Sequence, residues 1–264
     1  MGPACSIEVL GSGTSVGIPT IGCRCTVCRS DDPRDRRLRT SVLVQLRDGT
    51  DLRNIVIDTS PDFRQQALRS GFRRLDALLF THDHADHIMG LDDVRPFNYG
   101  RRDRIPAYAA PSTLKSLRRV FPYAFSGRAT HAGGVPRLDA IPVRNSPIRL
   151  YGVDFVPIHV LHGRKPILGF RFGAAAYVTD QTVLPAEAKA QLAGLDVLFL
   201  GALRHDPHPT HSTVGEAVAL AAELKPRRAF FTHMCHELPH AATVRELPNG
   251  MTLAYDGLRI AVGE

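Results

Sequence analysis

The sequence predicts an α/β fold in which two β-sheets pack against each other with helices on their outer faces. About a dozen short strand-like runs recur along the 264 residues, whereas only about four segments have helical character. That ratio is too rich in strands for one doubly wound parallel sheet. No internal repeat or long linker divides the chain, so one domain over residues 1–264 is the simplest interpretation.

The predicted strands are short, apolar and bounded by turn residues, which is typical of buried strands. In chain order they are residues 7–10, 41–46, 54–60, 75–82, 105–109, 153–161, 168–173, 174–180, 196–203, 228–233 and 258–262.

Two helices have clear end signals. Ser60 and Pro61 predict the start of one helix, and Gly71 predicts its end. A second helix begins at Thr213, because Thr213 and Glu216 have the spacing of a capping box ahead of an apolar face.

Composition narrows the class of protein. Hydrophobic residues make up 44% and charged residues 22%, which is ordinary for a globular chain. The net charge of +7 favours an anionic partner, with a small substrate ahead of nucleic acid. No apolar run approaches the roughly 20 residues of a membrane span, and the first residues lack the pattern of a secretion signal. These features predict a cytoplasmic protein without a membrane partner.

The segment THDHADH carries the strongest chemical signal. It places His82, His84, Asp86 and His87 directly after an apolar strand. Four such side chains in one short segment would repel or lose solvation unless a cation held them. If the loop bends back, His82 and His84 can face one ion while Asp86 and His87 face a second. Two adjacent metal sites are therefore predicted.

Both ions need ligands from other parts of the chain. Polar residues at the ends of other predicted strands are the candidates, namely Asp58, His162, Asp180 and His233. Taken singly, such a residue is more often a cap or a buried hydrogen-bonded group than a ligand. Together, however, all four residues lie at the ends of predicted strands.

A second kind of metal site is indicated by Cys23, Cys25 and Cys28. In a reducing compartment, clustered cysteines suggest a metal before they suggest disulfides. A tetrahedral zinc site needs a fourth donor, and His236 in the segment FFTHMCHELPH can provide it. Three cysteines and one histidine would close the coordination sphere, which predicts a structural zinc.

These motifs resemble the metallo-β-lactamase fold superfamily, whose signature His-x-His-x-Asp-His follows a strand. The resemblance runs from GSGTSVG nearly to YDGLRIAV. It implies an αββα sandwich of two packed mixed sheets with outer helices and with the metals at one edge. It also implies a ligand set, in which one ion is held by His82, His84 and His162, the second by Asp86, His87 and His233, with Asp180 bridging and Asp58 orienting the histidine loop.

The cysteine loop together with THMCH is similar to a narrower family, the phosphodiesterases of bacterial phosphonate degradation that open 5-phosphoribosyl 1,2-cyclic phosphate. The stretch GIP and the turn at Asp256 match that family too. The resemblance implies manganese in the active pair and zinc at the cysteines, although the active-site ligands themselves tolerate zinc, manganese or iron. A subfamily that kept the cysteine site and changed its substrate is the alternative.

Hydrolysis is the reaction that two adjacent ions predict. Ions about 3.5–4 Å apart can share a water, lower its pKa and present it as hydroxide. We assign catalytic roles to Asp86, within the ligand set, and to His211 of PTHST, which precedes the helix at Thr213. A helix N-terminus favours an anion, and phosphodiesterase branches of the superfamily carry a similar histidine that protonates the leaving oxygen. The alternative for His211 is a neighbour of the helix cap without a catalytic role.

The leading hypothesis is a metal-dependent phosphodiesterase for a small cyclic phosphate. A nuclease acting on RNA or DNA ends, a thioester or lactone hydrolase, and a non-catalytic metal-binding protein are the alternatives. The His-Ser-Thr element argues against a thioester or lactone hydrolase. A complete set of metal ligands argues against a non-catalytic metal-binding protein. Contact of His205, His208, Arg164 or Lys165 with substrate is left open, as is a homodimer.

Overall fold

The computed structural model describes residues 5–126 and 134–263. They form two seven-stranded sheets. Residues 1–4, on which the expectation of no secretion signal partly rests, lie outside the described residues. The assignment of one domain to the whole chain stays a prediction.

The first sheet is mixed. Its strands are β1 (Cys5–Gly11), β2 (Ser41–Asp48), β3 (Asp51–Ile57), β4 (Ala77–Leu79), β5 (Ile105–Ala109), β6 (Leu138–Pro142) and β14 (Arg259–Val262). Their order across the sheet is β14-β1-β2-β3-β4-β5-β6. The pairs from β14 to β3 are antiparallel, whereas β3, β4, β5 and β6 run parallel.

The second sheet is mixed in the same way. Its strands are β7 (Ile148–Leu150), β8 (Val153–His162), β9 (Lys165–Phe172), β10 (Ala175–Val178), β11 (Val197–Gly201), β12 (Arg228–Thr232) and β13 (Met251–Leu253). Their order is β13-β12-β11-β10-β9-β8-β7, with β10 to β13 parallel and β7 to β10 antiparallel.

Seven α-helices lie within residues 5–126 and 134–263, and most of them cover the outer faces of the two sheets. They are α1 (Phe63–Ser70), α2 (Ala85–Ile88), α3 (Pro111–Val120), α4 (Pro122–Phe125), α5 (Ala186–Gln191), α6 (Val214–Leu224) and α7 (His240–Glu246). Short 3-10 helices lie at Pro33–Asp35 and Leu91–Asn98.

Three apolar clusters account for the layering. One lies between the sheets and joins residues such as Val44 and Ile57 to Phe170 and Phe199. A second lies under α1 to α4, and the third under α5 and α6. Because each sheet buries both faces, its central strands read as continuous apolar runs. The predicted αββα sandwich of two mixed sheets is confirmed.

The prediction failed mainly at the sheet edges. β6, β7 and β13 were not predicted, and each is an outermost strand with a partly exposed sequence. Helix α1 begins at Phe63, later than predicted, because Ser60 and Pro61 form a turn in which the Phe63 N–H donates to the Ser60 carbonyl. Its end at Gly71 is confirmed, with φ at 77°.

Helix α6 begins where the sequence predicted. Thr213 is its N-cap, and the capping box with Glu216 is complete in both directions. No helix among the described residues is both long and apolar enough to cross a membrane.

Candidate metal centre and active site

The predicted ligands meet at one edge of the sandwich because the strands that carry them end there. Asp58 follows β3, and the histidine loop follows β4, which is parallel to β3. In the second sheet, Asp180 and His233 follow β10 and β12, which point the same way, and His162 ends β8. β8 has the same direction as β10, because both are antiparallel to β9.

The backbone turns sharply at three of these strand ends. Asp58, Asp180 and His233 have φ values of 65°, 61° and 58°. Non-glycine residues with positive φ are uncommon, although Asp, Asn and His are the types most often found there. Left-handed conformations cluster at functional sites, where the surrounding structure must hold them. All three here carry predicted site side chains.

His82, His84 and His162 form the first group of candidate ligands. One side-chain atom from each lies within 4.8 Å of the other two. The His162 Nδ1–H donates to the Thr210 carbonyl at 2.6 Å, which leaves Nε2 of His162 free to bind a metal. The His82 Nε2 is buried and has no hydrogen-bond partner among the described residues.

Asp86, His87, Asp180 and His233 form the second group, again with ligand atoms within 4.8 Å of one another. The Asp86 Oδ2 lies 3.4 Å from both His87 Nε2 and His233 Nε2. His87 Nε2 is also buried without a hydrogen bond inside the described structure.

Asp180 lies between the two groups. Its Oδ2 is 3.5 Å from His87 Nε2 and 3.3 Å from His233 Nε2 on one side, and 3.9 Å from His82 Nε2 on the other. Asp180 is therefore within reach of both groups, and its bridging role stays a prediction.

Asp58 contacts the ligands from behind. Its Oδ1 accepts from the Thr81 N–H at 2.8 Å, and its Oδ2 accepts from the Thr81 hydroxyl at 2.8 Å and from His87 Nδ1 at 2.7 Å. This carboxylate therefore holds the proton of His87 on Nδ1 and directs Nε2 towards Asp180. That Asp58 orients the histidine loop stays a prediction.

Charge in this cluster is balanced by close contacts. Burial and the nearby His87 hold the pKa of His82 well below its usual range. Burial would lower the pKa of His87 too, but Asp180, Asp58 and Asp86 outweigh it and raise that pKa. Burial opposes ionisation of Asp180, yet His233 and His87 hold its pKa well below the ordinary value. Carboxylates and inward-facing imidazole nitrogens without partners are a donor set that fits divalent cations.

His211 lies beside both groups. Its Nδ1 is 3.9 Å from Asp180 Oδ2, and its ring is 4.6 Å from that of His162 and 4.8 Å from that of His233. Burial and the neighbouring His233 lower its pKa to about 3. Side-chain atoms of His162, Asp180 and His211 also lie within 4.8 Å of one another. The geometry therefore allows His211 either to contact a substrate at the centre or to act as a further ligand.

The cysteine site is assembled from two distant segments. His236 Nδ1 lies 3.1 Å from Cys23 Sγ and 3.5 Å from both Cys25 Sγ and Cys28 Sγ. The Cys28 N–H donates to Cys25 Sγ and is the main reason why the pKa of Cys25 is lowered to about 6. Three sulfurs and one imidazole nitrogen around a point match the donors of structural zinc. Cys235 lies beside His236 but is not part of this group.

Several contacts at the site were not predicted. Thr81 links Asp58 to both His82 and His87. Ser212 donates through its N–H and its hydroxyl to the Gln181 carbonyl, which ties the residue after His211 to the residue after Asp180. The sequence repeats a Thr-His pair after β4 and at the end of β12, and this repeat could have predicted a role for Thr81.

The residues left open as substrate contacts differ in position. The His208 ring lies 5.0 Å from that of His211, whereas Lys165 pairs with Asp83. Arg164 and His205 are exposed.

The sequence and the fold together define the family of the chain. A model of the Beta-lactamase superfamily domain matches residues 53–234, and the fold and the histidine loop agree with it. The chain belongs to this superfamily, with the metallo-β-lactamase fold, and it is a metal-dependent hydrolase.

Within the superfamily the chain is PhnP-like. A crystal structure of a new diphosphatase from the PhnP family is 49% identical, covers 99% of this chain and 98% of that one, and superposes with a TM-score of 0.91. Coenzyme PQQ synthesis protein B from Methylobacterium radiotolerans is 35% identical over 97% of this chain and 99% of that protein. An octanoyltransferase from Porphyromonas gingivalis is 38% identical over 97% of this chain, but the chain spans only 51% of that relative's length.

Proposed function

We propose that the protein is a metal-dependent phosphodiesterase whose substrate is a small anionic cyclic phosphate such as 5-phosphoribosyl 1,2-cyclic phosphate. The observation that carries the proposal is the position of His211, an imidazole next to both ligand groups but outside the predicted set of seven ligands. The similarity to the PhnP-family diphosphatase supports phosphorus as the centre attacked. A cytoplasmic location, in which cysteine thiols stay reduced, fits this proposal.

The chain's own residues supply the positions of the ligands. Asp58 and the Thr210 carbonyl fix the tautomers of His87 and His162, so that the Nε2 atoms face the centre. Two divalent ions in the ligand set, manganese or zinc, would supply Lewis acidity and lower the pKa of a water. Asp86, which contacts both His87 and His233, would act within that set. The cysteines and His236 would hold a structural zinc.

His211 would provide the proton that the reaction needs, because an anionic phosphate bound beside it would raise its pKa from the value of about 3 that burial and His233 impose on the free site. When water attacks the cyclic diester, a new oxygen–phosphorus bond forms and the bond from phosphorus to the ribose 2-oxygen breaks. The departing alkoxide is a strong base, so its expulsion near neutral pH needs a proton donor. Ser212 and the cap at Thr213 hold His211 in place from the following residues.

A diphosphatase is the second candidate, and the 49% identical crystal structure favours it. The two reactions differ at the leaving group. A phosphate released from a diphosphate is a weak base and needs little help from an acid, whereas a sugar hydroxyl needs a proton. The His211 side chain therefore separates the two candidates.

Replacement of His211 by alanine tests the proposal. Turnover of a ribose cyclic phosphate should fall about 10²–10⁴-fold, because the proton donor is lost. Turnover of bis(p-nitrophenyl) phosphate should fall less, because p-nitrophenolate leaves without a proton. Metal content, measured by inductively coupled plasma mass spectrometry, should stay at the wild-type value.

His208→Ala is the matched control, since His208 lies on the same loop with its ring 5.0 Å from that of His211. It should keep most of the turnover. Loss of metal from the His211→Ala protein would show that His211 is a ligand. Wild-type protein that hydrolyses ADP but neither diester would establish the diphosphatase instead, and turnover of thioesters alone would overturn both.

A further inference from the structure

Arg37 is a buried cation beside the loop that carries both His233 and His236. It follows the 3-10 helix Pro33–Asp35, and only 1% of its surface is exposed. Long cationic side chains are almost never buried without specific partners. Neither the histidine motif nor the cysteine motif explains the position of Arg37.

The side chain of Arg37 holds the loop after β12. Its NH1 donates to the Cys235 carbonyl at 2.9 Å, and its NH2 donates to the Leu238 carbonyl at 2.5 Å. These two carbonyls stand on either side of His236 in sequence. The planar guanidinium can satisfy both at once, because its donors point in fixed directions.

The backbone of Arg37 holds the cysteine segment. The Arg37 N–H donates to the Ile18 carbonyl at 2.8 Å, and the Ile18 N–H donates to the Arg37 carbonyl at 2.9 Å. Ile18 lies on the segment that leads into Cys23. One residue therefore joins the segment that carries the cysteines to the loop that carries His236, although these are more than 200 positions apart in sequence.

The same loop carries His233, so Arg37 is coupled to the active centre as well. Met234 exchanges backbone hydrogen bonds with Ser12 and Thr14. Gly13, between those two residues, has no room for a side chain, because a Cβ there would lie 2.8 Å from the Arg37 carbonyl oxygen. Close packing from Arg37 through Gly13 to Met234 leaves the loop little freedom to shift.

The charge of Arg37 is compensated by Asp35. The Asp35 Oδ1 lies 3.3 Å from the Arg37 NH2 and also accepts from the His240 N–H at 2.7 Å, at the start of α7. Both side chains are almost fully buried. Removing one partner of a buried pair leaves an uncompensated charge, so each depends on the other.

We propose that Arg37 is a positioning residue that fixes the loop from His233 to Leu238 and thereby couples the cysteine–histidine site to the active centre. The proposal rests on the proposed zinc at the cysteines, and it predicts that weakening Arg37 releases that zinc before the protein unfolds. It also predicts that an active-site ion is lost with the zinc, because His233 is on the same loop.

Arg37→Lys tests this coupling, because lysine keeps the charge but cannot reach two carbonyls and Asp35 together. Zinc release from folded protein is followed with the chromogenic chelator 4-(2-pyridylazo)resorcinol, and total metal is measured on the same sample. Zinc release should become about 10–100-fold faster, which is the range typical when a residue that positions the metal ligands is lost. The metal content per chain should fall below the wild-type value. Asp35→Asn should act in the same direction if the lysine variant does not fold.

Arg228→Lys is the control, because Arg228 lies on β12 and also joins a carboxylate, Asp196, to a backbone carbonyl. It should release zinc at the wild-type rate. Arg37→Lys protein with unchanged release and full metal content overturns the proposal, even if its melting temperature drops. If the wild-type protein and the Cys25→Ala variant contain the same amount of zinc, the cysteines do not bind zinc. The role of Arg37, which depends on that zinc, would then be refuted as well.

Discussion

The two candidate metal centres share one loop but are built differently. Candidate ligands of the active centre, such as His82, His87 and Asp180, are almost fully buried and follow the ends of strands in two sheets. The cysteines and His236 are only half-buried and lie on irregular segments outside the described strands. The sheets hold the first geometry, whereas the second depends on its metal and on the contacts that Arg37 makes between two loop segments.

The difference extends to hydrogen bonding. Asp58 and the Thr210 carbonyl bind the outward nitrogens of active-centre histidines, so these rings are oriented by the protein. Around the cysteines, the closest contacts run between the ligands themselves and to the N–H groups of Thr20 and Cys28. Metal removal should therefore leave the first site in place and loosen the second.

The largest expected effect comes from the carboxylate shared by both ligand groups. Asp180→Asn should lower turnover by more than the roughly 100-fold that marks the upper range for outer residues of a metal site. The fold should persist, because the surrounding sheets are intact. Steady-state kinetics measures turnover, and circular dichroism checks that the fold persists. Turnover close to the wild-type value would show that Asp180 does not bridge the two ligand groups.

The opposite pattern is expected at the cysteines. Cys25→Ala should remove one zinc and lower the free energy of unfolding by about 3 kcal/mol, the amount that a ligand at about a hundred times its Kd supplies. Denaturant titration and metal analysis measure the two quantities. A stability unchanged from wild type would mean that the sheets, and not the zinc, hold the N-terminal segment.

The smallest effect is expected at Asp58, which contacts the candidate ligand His87 from the side away from the metal centre. In Asp58→Asn an amide can donate to His87 Nδ1, which would move the ring proton to Nε2, the atom that faces Asp180. Affinity for one active-site ion should fall about 10–100-fold, while the cysteine zinc stays bound. Metal titration of the stripped protein separates the two sites. Equal weakening at both sites would contradict the contrast between them.

Most of the fold and of the candidate site could be predicted because buried strands are apolar and site residues follow them directly. The run before Thr81 and the run before Thr232 show both features. Strands β6, β7 and β13 could not be predicted, since each is at most five residues long with one buried residue, whereas the edge strand β14 has the continuous apolar run 260–262. Arg37 was missed for another reason: one arginine in an arginine-rich segment gives no sign of the carbonyls, some 200 positions away, that it will meet.

The left-handed backbone at Asp58, Asp180 and His233 has a consequence for engineering. Glycine adopts that conformation without strain, so a glycine substitution would relieve the backbone at each of these three positions. Each such change would also delete a side chain of the candidate centre, and at Asp58 it would leave buried hydrogen-bond donors without an acceptor. A durable catalyst of this type must therefore gain its durability elsewhere, on the helical outer layers for example.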